Sequence, residues 1–386
     1  MTPSMTPPDS ASQSPASSSR PKQVPIAHAT PGRDPAGHAG DMARDLAGFI
    51  AAEPEVIELP EDGLQLLDCH PSGGDFKGEV LAGLSRSPQK TLPTKYLYDQ
   101  RGSKLFDQIT ETHDYYPTRT ELTIFDAHLA DISKLIGPGA AVIEPGAGSS
   151  LKIRRLLNAL EAPAVYTPIE ISRTHVVAAA RALSSDYPDL TVAPVCADFT
   201  GDIALPKALD QAPGKRVVFF PGSTIGNFDK PIREVMLARY AEIAGPGGLL
   251  LLGADLMKSD EVLRRAYDDR EGVTARFNLN LLERLNRELD ADFDTEHWRH
   301  HIEISRERSR VELFVRSTRD QQAAVAGRTF EFAENETIYT ENSHKFTEEG
   351  LDEEVRAAGF TKRLGRWTDD AGWFSVVLLE NTGAAQ

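Results

Sequence analysis

One stretch constrains the fold more than any other: the apolar run Ala140–Glu144 feeds Pro145-Gly146-Ala147-Gly148 and then a helical pattern over Leu151–Leu160. A strand, a glycine turn and a helix in that order turn backbone N–H groups and a helix N-terminus toward a ligand. Gly146 and Gly148 allow close approach and unusual φ angles there. G-x-G alone does not name the ligand. Dinucleotide-binding turns run G-x-G-x-x-G, and the third position here is Leu151.

The same alternation continues downstream. Strands are expected at Val165–Glu170, Leu190–Val195, Arg216–Phe220 and Leu249–Leu252. Helices are expected between them, one capped by Ser172 and one over Ile232–Ala244 ending at Gly245-Pro246-Gly247-Gly248. Strands alternating with helices imply βαβ units and a parallel sheet. After Asp255 the alternation stops. Glu261–Leu289 reads as helical, and Ile302–Phe314 and Thr329–Thr340 read as strands. A helix over Thr347–Ala358 and strands over Phe360–Trp367 and Trp373–Leu379 should close the sheet with an antiparallel edge. Upstream, Asp75–Ser85 reads as a helix, Val56–Leu59 as a strand and Asp41–Ala52 as a helix. Pro117 opens a helix with Leu122, Phe125, Leu129, Ile132 and Ile136 on one face.

Residues 1–40, rich in Ser, Pro, Ala and Gly, carry too little apolar surface to offset their ordering entropy and are expected to be disordered. Residues 60–119 with 260–346 should form a discontinuous, smaller α+β domain. Residues 120–259 with 347–382 should form the α/β domain carrying the glycine turn.

Bulk properties narrow the function classes. The chain has 58 acidic against 42 basic side chains, a net charge of −16. That excess opposes nucleic-acid and membrane-surface binding. Two cysteines without a CxxC fit a reducing compartment. No apolar run approaches the roughly 20 residues of a membrane span, and no basic-then-apolar leader opens the sequence. A cytoplasmic monomer acting on a small molecule is expected.

Three acids mark strand ends. Glu144 precedes the glycine turn. Glu170 ends the second strand, at a distance suited to ribose hydroxyls. Asp198-Phe199 follows the third, where a carboxylate can accept from an adenine amino group while the next N–H donates to the ring. Singly, each also reads as a surface or turn acid. Together with the missing third glycine they favour S-adenosylmethionine (SAM) over a dinucleotide. His297, His300 and His301 lie close enough to raise a metal site, but no glutamate stands as in H-E-x-x-H and Arg299 intervenes, so no metal is expected.

Several motifs occur in one order: V-I-E-P-G-A-G-S-S from Val142, L-P-T-K-Y-L-Y-D from Leu92, D-Y-Y-P-T-R-T-E from Asp114, G-S-T-I-G-N from Gly222, A-Y-D-D from Ala266 and T-E-N-S-H-K-F from Thr340. With them the chain, over Asp75–Leu379, closely resembles the histidine Nα-trimethyltransferases of the ergothioneine pathway. The resemblance implies a class I SAM-dependent methyltransferase fold, plus a substrate domain built from the flanking segments. It implies transfer of three methyl groups from SAM to the α-amine of L-histidine, giving hercynine. It places Gly146, Lys152, Glu170, Asp198 and Phe199 at SAM. It places Tyr115, Asn227, Tyr267, Glu341, Asn342 and Ser343 at histidine, with Tyr98 near the reacting amine. Pro145 and Glu170 depart from residues found in other members, and the long N-terminal extension falls outside the pattern.

The chemistry agrees. Asn227 and Tyr267 can donate to a carboxylate, although Tyr267 also reads as a packed helix aromatic. Glu341 and Ser343, two apart on an extended segment, face one way. A carboxylate can accept from one imidazole nitrogen while a hydroxyl donates to the other. Alternatively, Glu341 pairs with Lys345 at a strand end. Tryptophan, the rival substrate, offers a donor but no acceptor. The aromatic cluster Tyr96, Tyr98, Phe106, Tyr115, Tyr116 can face a methylated ammonium or simply fill a core.

Overall fold

The structure, a computed structural model, describes residues 54–59, 63–69, 75–148 and 150–383. The disorder expected over 1–40 and the helix expected near Asp41–Ala52 lie outside the described residues.

Strands β1 (Glu55–Leu59), β2 (Leu64–Asp68), β4 (Ala141–Pro145), β5 (Val165–Glu170), β6 (Thr191–Val192), β7 (Val195–Cys196), β8 (Arg216–Phe220), β9 (Leu249–Asp255), β15 (Lys362–Thr368) and β16 (Phe374–Glu380) form one large sheet. Their order is β1-β2-β7-β5-β4-β8-β9-β16-β15, with β6 also on β5. The middle, from β2 to β9, is parallel; β1, β16 and β15 are antiparallel edges. Strands β4 and β9 are buried along their whole length, hence their continuous apolar sequences. Alternation sends Ile143, Val218, Leu250 and Leu252 to one face and Val142, Val217, Phe219 and Leu251 to the other, each face with its own apolar core.

The chain goes from β4 to β5 and β7 in one direction, then to β8 and β9 in the other. The switch point therefore lies between β4 and β8, where ligands of open α/β sheets bind beyond the carboxyl ends of the strands. The glycine turn follows β4, and Pro221-Gly222-Ser223-Thr224 follows β8.

The expected third strand is broken. Pro194, which has no N–H to give a ladder, separates β6 from β7. Strand β2 pairs in parallel with β7, so Leu64–Asp68 lies in the large sheet rather than with the rest of residues 60–119. Leu66 packs there on Val176 and Cys196.

A second sheet runs β10 (Trp298–Ser305), β11 (Arg310–Ser317), β14 (Thr337–His344) and β3 (Lys90–Thr91), beside a hairpin of β12 (Gln321–Val325) and β13 (Arg328–Phe332). Helices Gln100–Glu111, Asp260–Tyr267 and Val273–Glu288 share its apolar cluster, which includes Phe277, Leu281 and Trp298. Each of the two expected strands, 302–314 and 329–340, contains a turn. Ser309 (φ 52°) and Asn335 (φ 68°) make those turns without glycine.

Candidate active site

The first half of the site stands at the carboxyl ends of β4, β5 and β7. Gly146 has φ 72°, and a Cβ built there would lie 3.1 Å from the Phe199 ring. Gly146 and Ala147 donate their N–H groups to the Ile169 carbonyl at 2.8 and 3.0 Å, fixing the turn against β5. Glu170 accepts from the Ser172 N–H at 3.1 Å where the helix Arg173–Asp186 begins. Ser172 itself makes no side-chain cap. Burial raises the Glu170 pKa. Asp198 accepts from the Thr200 N–H at 3.0 Å and its hydroxyl at 2.6 Å. Asp198 and Glu170 are near enough for the former's charge to add to that rise. Gly146, Glu170, Asp198 and Phe199 are thus brought together.

Lys152 is held differently. Its ammonium pairs at 2.5 Å with Glu121, whose side chain is fully buried. Glu121 in turn accepts from the Gly222 N–H at 2.9 Å. This bond ties the first turn of helix Leu151–Ala159 to helix Tyr116–Ile136 and to the loop after β8. Glu144 is also buried, accepting from the Tyr166 hydroxyl at 2.5 Å, and burial pushes its pKa up to about 7.

The second half lies on β14. A register shift opposite Leu313 and Phe314 leaves Thr340 without a partner residue. Such a bulge re-aims the residues that follow. Glu341 and Ser343 then face one way. Asn342, between them, is on the other face beside Tyr339. The structure therefore does not bring the Asn342 side chain to Glu341 and Ser343, contrary to the grouping expected from the sequence.

Glu341 is only 7% exposed. It accepts from the Tyr98 hydroxyl at 3.2 Å and the Asn227 amide at 3.4 Å. Burial lifts its pKa to about 7, against the Tyr98 hydrogen bond and the Lys345 charge, which lower it. Asn227 ends a short 3-10 turn, Thr224–Asn227, after β8. The Tyr267 and Ser343 hydroxyls lie 2.8 Å apart. Tyr115 sets its ring edge-on to Tyr267 at 6.1 Å, and Tyr98 packs on Phe106 and Phe277. Tyr115 and Tyr267 are buried and Tyr98 is half-buried, and burial pushes each phenol well above its ordinary pKa.

Two residues missed in the sequence, Asp255 and Lys258, complete this half together with Tyr116 and Lys345. Asp255, the last residue of β9, is wholly buried. It accepts from Tyr116 at 2.7 Å and pairs with Lys258 at 2.5 Å and Lys345 at 2.9 Å. Burial raises its pKa, but the Lys345 and Lys258 ammoniums outweigh that and hold it below the ordinary value. Burial brings Lys258 down to about 8. Lys345 thus pairs with Asp255, not with Glu341. A signal existed: Asp255 is a fourth acid closing an apolar strand, like Glu144 and Glu170.

The three histidines take other partners. His297 pairs with Asp294, His301 with Glu303, and His300 sits between Asn278 and the Tyr267 carbonyl. Among the described residues, no group of His, Cys, Asp and Glu is placed to hold a metal.

A sheet with a parallel middle and antiparallel strands at its edges, a glycine turn at its switch point and acids at successive strand ends defines a class I SAM-dependent methyltransferase. The chain belongs to the histidine-specific, SAM-dependent methyltransferase family, whose model matches residues 76–381. It is 39% identical to a histidine N-alpha-methyltransferase of Mycolicibacterium smegmatis, over 87% of this chain and 99% of that one. It is 38% identical to a histidine N-alpha-methyltransferase of Mycobacterium tuberculosis, over 78% of this chain and 94% of the relative. An ergothioneine biosynthesis protein 1 of Neurospora crassa is 28% identical over 72% of this chain, which covers 32% of that longer protein.

Proposed function

We propose that residues 120–259 with 347–382 bind SAM and that residues 75–119 with 260–346 hold L-histidine, with the reaction taking place between Tyr98 and the glycine turn. The enzyme methylates the α-amino group of L-histidine at the expense of SAM, three times, and its product is hercynine for ergothioneine synthesis.

The observation that carries the assignment of roles is the pair of unlike groups on one face of β14. Glu341 is an acceptor and Ser343 a hydroxyl beside Tyr267. Neutral imidazole presents one N–H and one bare nitrogen, and this pair can meet both. An indole has no acceptor for the hydroxyl, so tryptophan would leave it unmet. Asn227 and Tyr115 would complete the hold on the amino acid.

Gly146, Glu170, Asp198 and Phe199 would hold SAM. Lys152 would join them through donors that its bond to Glu121 leaves spare. The bound cosubstrate supplies an electrophilic methyl group. The chain's residues supply proximity and alignment, the main source of acceleration in such a transfer. The Tyr98 phenol is held protonated by its burial. It donates to Glu341, and its oxygen is left to accept from the substrate amine. Tyr98 therefore orients the amine and does not act as a strong base. A face of aromatic rings adds about 0.5–2 kcal/mol for the methylated ammonium.

We further infer a cytoplasmic monomer with no nucleic-acid or membrane partner. Its net charge of −16 and two unpaired, buried cysteines support this. No helix among the described residues is long and apolar enough to cross a membrane. Sedimentation equilibrium tests the monomer. For the reaction, the chain is incubated with SAM and each of the twenty amino acids, and products are weighed. Histidine alone should gain three methyl groups; methylated tryptophan in its place would overturn the substrate assignment.

A further inference from the structure

Lys345 is fully buried and carries three N–H donors and no acceptor. All three have partners: the Asp255 carboxylate at 2.9 Å, the Tyr267 oxygen at 2.8 Å and the Ser343 oxygen at 2.6 Å. Both hydroxyl oxygens therefore serve as acceptors toward the ammonium. The two hydroxyls, 2.8 Å apart, have two hydrogens between them. One lies in the bond joining them. The other is uncommitted, whichever hydroxyl carries it. The pair can offer a substrate a hydrogen, but its lone pairs are largely taken.

We propose that Lys345 is a positioning residue that fixes the Tyr267–Ser343 hydroxyl pair as a hydrogen-bond donor toward the substrate ring. The demand for an aromatic nitrogen with a free lone pair is thereby set one residue away from the substrate. Asp255 holds the ammonium in place from the opposite side. Without the ammonium, either hydroxyl can turn and accept, and a ring presenting N–H or C–H at that point meets less resistance. This inference rests on the assignment of Tyr267 and Ser343 to the substrate.

The test compares histidine with the two pyrrolylalanines, in each of which one ring nitrogen of histidine is replaced by C–H. The nitrogen that remains in each is N–H, so neither has an acceptor lone pair, and the wild-type enzyme should prefer histidine over the analogue with C–H at the acceptor position by about tenfold or more in kcat/KM, the worth of one buried hydrogen bond. K345M, close in shape and without donors, should reduce that preference to about twofold. Its loss on histidine should appear mainly in KM. SAM affinity, measured by calorimetry, should stay within about twofold and reports that the variant is folded. K345Q keeps a polar group for Asp255 and should behave alike if K345M does not fold.

Two outcomes separate the failures. If S343A and Y267F both leave the histidine KM unchanged, the substrate assignment of this face falls. If they raise KM while K345M and K345Q keep the wild-type preference for the acceptor nitrogen, the assignment stands and the role of Lys345 is overturned.

Discussion

Replacing Glu341 by Gln keeps shape and volume and removes a buried acceptor of charge. In the structure the carboxylate sits between the Tyr98 hydroxyl and the Asn227 amide, 3.2 and 3.4 Å away. A hydrogen bond to a charged partner contributes about 1.5–3 kcal/mol, so E341Q should weaken histidine binding by about 10- to 150-fold. The pH dependence sharpens the expectation. Burial puts the Glu341 pKa at about 7. The ionised fraction then falls about tenfold between pH 8 and pH 6, and neutral imidazole, with its pKa near 6.5, falls about fourfold. Wild-type affinity should thus drop about 40-fold over that interval, and E341Q only about fourfold. Titration calorimetry of L-histidine in the presence of S-adenosylhomocysteine at pH 6, 7 and 8 measures both. The reasoning fails if E341Q binds histidine within twofold of wild type at pH 8, if its pH dependence equals that of wild type, or if it loses the nucleoside ligand equally.

Three further expectations address the other half of the molecule. Gly146→Ala forces a side chain into a left-handed conformation, costing about 1–2 kcal/mol, and crowds Phe199. SAM affinity by calorimetry should fall about tenfold or more, with the histidine KM at saturating SAM unmoved. Asp198→Ala should likewise lower SAM affinity, by about tenfold, and leave histidine binding intact; equal loss of both ligands would move Asp198 out of the cosubstrate site. Glu144→Gln tests burial itself. The folded-state pKa is raised to about 7, so native Glu144 holds its proton where the unfolded chain has released it. The resulting cost is absent below about pH 4, grows as pH rises toward 7 and is constant above. E144Q should therefore stabilise the protein on the order of 1–3 kcal/mol at pH 8 and hardly at all at pH 4.5. Denaturant midpoints at the two pH values decide it, and equal shifts at both would refute the linkage.

The large sheet was legible because its central strands are buried on both faces and therefore spell continuous apolar runs. Val165–Glu170 and Arg216–Phe220 appear with the expected limits. Pro194 was visible, yet its effect, a strand cut in two, depends on where β5 and β2 offer partners. The second sheet was less legible. Its turns at Ser309 and Asn335 use non-glycine residues at positive φ, whereas the turn between β12 and β13 carries Gly327 beside Ala326. Its site-forming strand carries a bulge at Thr340 that no local signal announces, while plain strand alternation turns Asn342 away from its neighbours. Among the candidate residues, Glu144, Glu170 and Asp198 were legible at strand ends, although Asp255, in the same position, was passed over. Lys258 and Lys345 were not legible. A lysine in sequence reads as a solvated charge, and only the fold shows two of them converging on one buried carboxylate.

That convergence ties the two halves of the site together. Asp255 ends a strand of the large sheet, and its N–H bonds to Ser223 in the loop that also carries Asn227. Tyr116 opens the long helix on that sheet, whereas Lys345 follows the site-forming strand of the other. Buried ion pairs contribute little net stability, because desolvation offsets most of their attraction. Removing either partner is nevertheless costly, since it strands a charge. The network is thus better explained by register than by stability. It fixes the strand bearing Glu341 and Ser343 against the carboxyl end of β9, two residue sets that share no covalent neighbour.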